Sequence, residues 1–202
     1  APSSGDKANS MAGDASGAVP TRGKADGRRQ LLRRSLRSGA MEIRPVRPAE
    51  HEALGELIVT AYAAIDPEAL DDTYVAELRD VAGRVAGAEV LVAVDGGGAV
   101  LGGVTYVPGP DSPWAEFTEP DAAGIRMLAV APEAQGRGIG QALSLATVER
   151  ARAAGKRQIL LHSTDRMTAA HRMYLRLGFA RDPSIDWEPL PGFWLRGFRL
   201  RL

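Results

Sequence analysis

The 202-residue chain contains no cysteine. That absence excludes a disulfide framework, a thiolate metal site and a cysteine nucleophile together. Histidine is scarce as well: His51, His162 and His171 lie apart with no metal-ligand spacing, so no metal is expected. Lysines number three against 22 arginines, a bias that with abundant Ala and Gly reads as the codon usage of a GC-rich bacterium. No apolar run approaches the roughly 20 residues of a membrane helix; the best, Leu57 to Ile65, is too short and holds a Thr. The start of the chain lacks a positive-then-apolar-then-small leader, so the expectation is a cytoplasmic protein without membrane association.

What is present is the composition of a globular domain, 45% hydrophobic and 25% charged with zero net charge. The zero conceals an asymmetry. Residues 1–40 carry eight Lys/Arg and three acids, whereas residues 41–202 carry 17 basic and 22 acidic groups. An acidic body repels phosphate, so nucleic-acid binding by the main domain is not expected. Residues 1–27 are mostly small and polar and cannot bury enough surface to offset their ordering entropy. Arg28 to Arg37 interleaves Leu31, Leu32 and Leu36 with five Arg, readable as a basic amphipathic helix or as a solvated leader. Residues 1–40 are therefore taken as a disordered or weakly ordered basic extension, and residues 41–202 as the domain.

From Met41 the pattern turns periodic. Strands are expected at Met41–Val46, Glu89–Val94, Ala99–Val107, Ile125–Ala131, Gln158–His162, Phe179–Arg181 and Trp194–Leu202. Helices are expected from Pro48 to about Ile65, from Asp71 to Ala82, from Gly138 to Ala154 and over Ala169–Leu177. This order departs from strict βαβ alternation and implies an α/β fold with a mixed sheet that is partly antiparallel.

The densest chemical signal lies between a strand and a helix, where Gly136, Gly138 and Gly140 alternate. Missing Cβ atoms let a ligand reach the N–H groups of the helix start, which with the helix dipole and Arg137 suit a pyrophosphate. The turn has no Lys for a Walker loop, and Gln141 or Ala142 stands where a dinucleotide fingerprint needs its third Gly. A purely structural turn is the remaining rival.

The sequence resembles the GCN5-related N-acetyltransferase (GNAT) superfamily over about Met41 to Leu202. Gln135-Gly136-Arg137-Gly138-Ile139-Gly140 fits that family's Arg/Gln-x-x-Gly-x-Gly/Ala motif, with Val130-x-Pro132 as its lead-in. Ala169 to Phe179 fits the family's later helix, which ends in Tyr-x-x-x-Gly-Phe. The resemblance implies a GNAT-like acyl-CoA N-acyltransferase fold, a largely antiparallel twisted sheet flanked by helices. It implies an N-acetyltransferase domain at 41–202 with acetyl-CoA as cosubstrate and a small-molecule or peptide amine as acceptor. By the same resemblance, backbone amides of Gly136, Arg137, Gly138, Gly140 and Gln141, in the motif that Gln135 opens, bind the pyrophosphate. The main chain of Leu128, Ala129 and Val130 bonds the pantetheine arm and the thioester carbonyl, an oxyanion-hole arrangement. Tyr174 falls where the family places the residue facing the coenzyme sulfur and is expected to be the general acid. The family's members are often dimers, which leaves a homodimer open.

One position departs: Met167 stands where the family often has an Asn that bonds the pantetheine arm, with Ser163, Thr164 and Asp165 as substitutes nearby. His171, one turn before Tyr174, is expected to pack or bond locally. A base to deprotonate the acceptor is expected among the loop acids Glu116, Glu119 and Asp121, with Glu119 and Asp121 taken forward. Tyr62, Tyr74, Trp114, Phe117, Trp187 and Trp194 are candidates to wall an acceptor pocket, with anchoring of the last strand the favoured reading for Trp194. Without cysteine, transfer is expected to be direct, in a ternary complex. A non-catalytic CoA- or acyl-CoA-binding regulatory module is the alternative, motivated by Met167 and by the lack of an unambiguous base.

Overall fold

Alternation along the strands sets the architecture of the computed structural model, which describes residues 41–202. In β2 (Glu89–Val94), Val90 packs on one face of the sheet and Leu91 on the other, and each face acquires its own core. On the first face lie α1 (His51–Ala63), α2 (Asp72–Arg79) and α3 (Val81–Gly87), which contribute Leu54, Ile58, Leu78 and Val81. On the second lie α4 (Ile139–Ala153) and α5 (Thr168–Leu177), contributing Ile139, Leu143, Val148, Tyr174 and Leu177. The remaining strands are β1 (Glu42–Pro45), β3 (Val100–Val107), β4 (Ala122–Val130), β5 (Gln158–Thr164), β6 (Ala180–Arg181), β7 (Trp187–Leu190) and β8 (Phe193–Arg201).

All eight strands form one sheet in the order β1-β2-β3-β4-β5-β8-β6, with β7 also paired to β8. Every pairing is antiparallel except β4 with β5. The mixed, largely antiparallel sheet flanked by helices is the fold expected from the sequence. No helix among the described residues is long and apolar enough to cross a membrane. The expectations for residues 1–40, including the Arg28–Arg37 segment, lie outside the described residues.

Three elements differ from expectation. The helix read over Asp71–Ala82 is two helices, because Asp80 leaves helical geometry and its carboxylate accepts the Gly83 N–H at 2.7 Å to start α3. Fully buried Arg84 ties the pair together by donating to the carbonyls of Glu77 and Leu78 at the end of α2. The strand expected from Ile125 begins three residues earlier, at Ala122, since it pairs in parallel with β5 from Gln158 onward. β7 is an additional strand, a hairpin partner that turns through Pro191-Gly192 into β8.

Candidate active site

The pairing of β4 changes halfway along. Ala122 to Ile125 face Gln158 to Leu161 of β5, and beyond Ile125 the two strands no longer pair. Just past that point β4 holds one residue more than β3 opposite it: Arg126 faces Thr105, Ala129 faces Gly103, and the register shifts between. Within this bulge Met127 takes a left-handed backbone, φ 49°, costly for a side chain other than Gly. The edge of Leu128, Ala129 and Val130 turned away from β3 therefore borders a crevice instead of a strand.

The N-terminus of α4 stands at the end of that crevice. Gly138 is its N-cap at φ 80°, and no side chain caps it. The first helical hydrogen bond runs from the Ala142 N–H to the Gly138 carbonyl, so the amides of Ile139, Gly140 and Gln141 precede the helical ladder. Gly136 has φ 74°, and a Cβ there would meet nothing within 4 Å, which leaves its backbone approachable. Gln135, Gly136, Arg137 and Gly138 are all exposed, and the Gln135 side-chain amide reaches back to the Val130 carbonyl at 3.5 Å. An uncapped helix start beside an exposed Arg and an open strand edge fit a long ligand with an anionic end and an amide-bearing arm. Acetyl-CoA has that form.

A pocket of about 290 Å³ opens on the splay between β4 and β5. Ile125, Arg126 and Met127 of β4 and His162 to Thr164 of β5 form its floor, while Tyr62, Tyr74, Trp187 and Phe193 stand among its walls. The Arg126 guanidinium lies 2.9 Å from Glu116 and 3.4 Å from Glu77, and 5.7 Å from the centre of the Trp114 ring. The other Glu116 oxygen is 3.1 Å from His162 Nδ1, while His162 Nε2 donates to the Ile185 carbonyl at 2.8 Å. Glu116 is thus fixed from two sides at the pocket floor. The rings of Tyr62 and Tyr74 meet edge to face with centroids 6.4 Å apart. Burial raises the Tyr62 phenol well above its ordinary value, with Tyr74 and Tyr174 adding to it, and burial pushes Tyr74 up to about 12. Tyr174 is 5% exposed between Phe179 and Phe198, and burial raises its pKa too. It therefore keeps its proton at neutral pH, the state a donor needs.

The two carboxylates expected to serve as the base are not brought to this pocket. Glu119 lies 3.3 Å from Arg199, and Asp121 accepts from the Gln158 side chain at 2.7 Å. Asp121 precedes Arg126 by five residues, about 16 Å of extended chain, at the paired end of β4. Of the three loop acids only Glu116 lines the pocket. Trp114 and Phe117 are also displaced: they border a smaller hollow behind Glu116, where Phe117 rests on Gly124. Tyr62, Tyr74 and Trp187 do line the pocket; Trp194 is 41% exposed and lies under the Arg196 guanidinium. Met167 lines the pocket too. Of its expected substitutes, Ser163 bonds His171 at 3.1 Å, Asp165 pairs with Arg196, and the Thr164 hydroxyl is buried without a partner. His171 packs on Phe198 with ring centroids 4.8 Å apart, and burial lowers its pKa. Among the described residues no group of three or more His, Asp or Glu is placed to hold a metal.

Comparison with known proteins agrees with this geometry. The sequence model of the Acetyltransferase (GNAT) family matches residues 52–179, more than half of the chain. Mycothiol acetyltransferase of Pseudarthrobacter chlorophenolicus is 36% identical over 101 residues, 50% of this chain and 30% of that protein. Mycothiol acetyltransferase of Geodermatophilus obscurus is 41% identical over 71 residues, 34% of this chain and 23% of that protein. The matched part thus spans less than a third of either relative. Among solved structures, yncA of Salmonella typhimurium with its cofactor acetyl-CoA has a TM-score of 0.57 at 24% identity, covering 81% of this chain and 95% of that one. The paia N-acetyltransferase of Thermoplasma acidophilum in complex with coenzyme A has a TM-score of 0.62 at 13% identity, covering 81% and 99%. At such identities the likeness is one of fold.

Proposed function

The chain belongs to the Acetyltransferase (GNAT) family, and we propose that it transfers an acetyl group from acetyl-CoA directly to a primary amine in a ternary complex. The observation that carries this reading is that β4 serves two features at once: its edge is left unpaired beyond Ile125 on the way to the uncapped start of α4, and Ile125 to Met127 line the pocket that opens where β4 parts from β5. The mycothiol acetyltransferases among the relatives support acetyl transfer, and mycothiol chemistry is one candidate to test on the acceptor side.

Acetyl-CoA supplies an activated acyl carbon joined to a good sulfur leaving group. The chain's own residues do the remainder. Amides of Gly136, Arg137, Gly138, Gly140 and Gln141 hold the pyrophosphate, with the Gln135 side chain closing the turn. The main chain of Leu128, Ala129 and Val130 aligns the pantetheine arm and offers N–H donors where negative charge grows on the carbonyl oxygen. Glu116 takes the first proton of the acceptor ammonium, directly or through one water, freeing the nitrogen lone pair. The N–C bond forms and the C–S bond breaks, and Tyr174 donates its phenolic proton to the departing sulfur. The second amine proton leaves through solvent and restores the phenol.

Acetyl-CoA at about 100 times its Kd should stabilise the protein by about 2.7 kcal/mol, a rise of about 5–10 °C in Tm. An amine panel spanning polyamines, aminoglycosides, amino acids and peptide N-termini, followed by release of free CoA, tests the transfer. No rise in Tm at saturating acetyl-CoA would sink the reading. A rise without CoA release from any amine would instead fit a non-catalytic acyl-CoA-binding module.

A further inference from the structure

We infer that the acceptor is an amphipathic primary amine, a cationic nitrogen carried on an alkyl or aryl body. This rests on the acetyl-transfer reading above and concerns the pocket over β4. Four carboxylates line it, Asp66, Asp71, Glu77 and Glu116; Asp66 is paired with Arg166 at 3.1 Å and Asp71 caps α2, which leaves Glu77 and Glu116 against the single guanidinium of Arg126. Arg126 already lies between Glu77 and Glu116, so it is not left to bind a substrate carboxylate. A cation is the charge this floor lacks.

Away from the floor the lining changes character. Leu70, Met167, Phe193 and Leu195 join the tyrosine rings on the walls. Of the polar groups interspersed among them, the Ser163 hydroxyl is bonded to His171, while that of Thr164 is buried without a partner. A polyamine would find the wall carboxylates Asp66 and Asp71 already engaged by Arg166 and by the start of α2, and an amino sugar would bring several hydroxyls to walls that offer few partners, each at a desolvation cost. At the mouth, Ile65 is 39% exposed, Trp187 40% and Leu190 61%. They are three of the six large apolar side chains left exposed among the described residues, and all three border this one pocket. Apolar surface gathered around an opening marks a surface that something covers. A chain or ring running outward from the amine would cover it.

The experiment measures kcat/KM for linear alkylamines from butylamine to octylamine, for spermidine and for glucosamine, at saturating acetyl-CoA. Each methylene buried between wall and rim should raise kcat/KM about fourfold, and spermidine and glucosamine should fall at least about tenfold below octylamine. Leu190→Ser and Trp187→Ala, both changes at exposed positions, should flatten the dependence on chain length. A flat dependence in the unaltered protein overturns the inference, as does preference for spermidine or glucosamine, or a slope that survives both substitutions. If acetyl-CoA raises Tm and no alkylamine is turned over, this inference falls alone. If acetyl-CoA causes no shift, the proposed function falls with it.

Discussion

β4 is two strands in one. From Ala122 to Ile125 it is buried and paired with β5, and Gly124 and Ile125 are paired with β3 as well. From Arg126 to Val130 it is paired on the β3 side alone, and its side chains alternate between buried and half-buried. The same strand thus has a strand partner on the β5 side over one half and none there over the other. Backbone donors and acceptors are obligatory partners for something; where the neighbouring strand departs, they become available to a ligand. Substitutions in the closed half should register as stability, and those around the open half as binding or rate.

The largest expected effect lies on the open side. Tyr174→Phe removes one hydroxyl from a ring packed between Phe179 and Phe198 and, on the proposed role, should lower kcat about 100-fold while leaving the acetyl-CoA shift in Tm unchanged. A loss of that shift would break the division, because Tyr174 would then be serving binding. Next comes the closed half. A Cβ at Gly124 would lie 2.7 Å from the Phe117 ring and 3.2 Å from Val107, so Gly124→Val should cost about 2–3 kcal/mol in denaturant unfolding. The protein that remains folded should still respond to acetyl-CoA. The smallest effect tests the turn itself. Gly136→Ala meets no steric obstacle, yet it forces a side chain into φ 74°; the expected cost is about 1 kcal/mol in stability. A weakened acetyl-CoA response in that variant sharpens the comparison, since stability and affinity then separate at one residue.

Much of this organisation is legible in the residues. Three alternating glycines between a strand and a helix announce a turn that side chains do not fill, and the spacing from Tyr174 to Gly178-Phe179 announces a helix ending on a buried aromatic. Which of the loop acids lines the pocket was not legible. Glu116 reaches His162 across 46 residues of sequence, and Glu119 is drawn away by Arg199 across 80. Long-range partners decide which loop acid faces the cavity, and spacing carries no trace of them. One local signal did exist: Arg126 is the single charge in the nine-residue strand AAGIRMLAV. A cation inside an otherwise apolar strand requires counter-charges, and here they are the two glutamates at the pocket. β7 is not legible either, because its four residues include Pro189 and only half of a strand pattern.

The extra residue in β4 has a consequence for how this protein tolerates change in length. A shortening of the chain by one position between Arg126 and Ala129 would bring β4 back into step with β3 and abolish the left-handed Met127. Selection for thermal robustness alone would favour such a deletion, since it relieves a local penalty of about 1–2 kcal/mol. It would also invite β5 to continue along β4 and seal the cleft. The surplus residue thus exchanges local backbone stability for an edge of β4 that β5 leaves open.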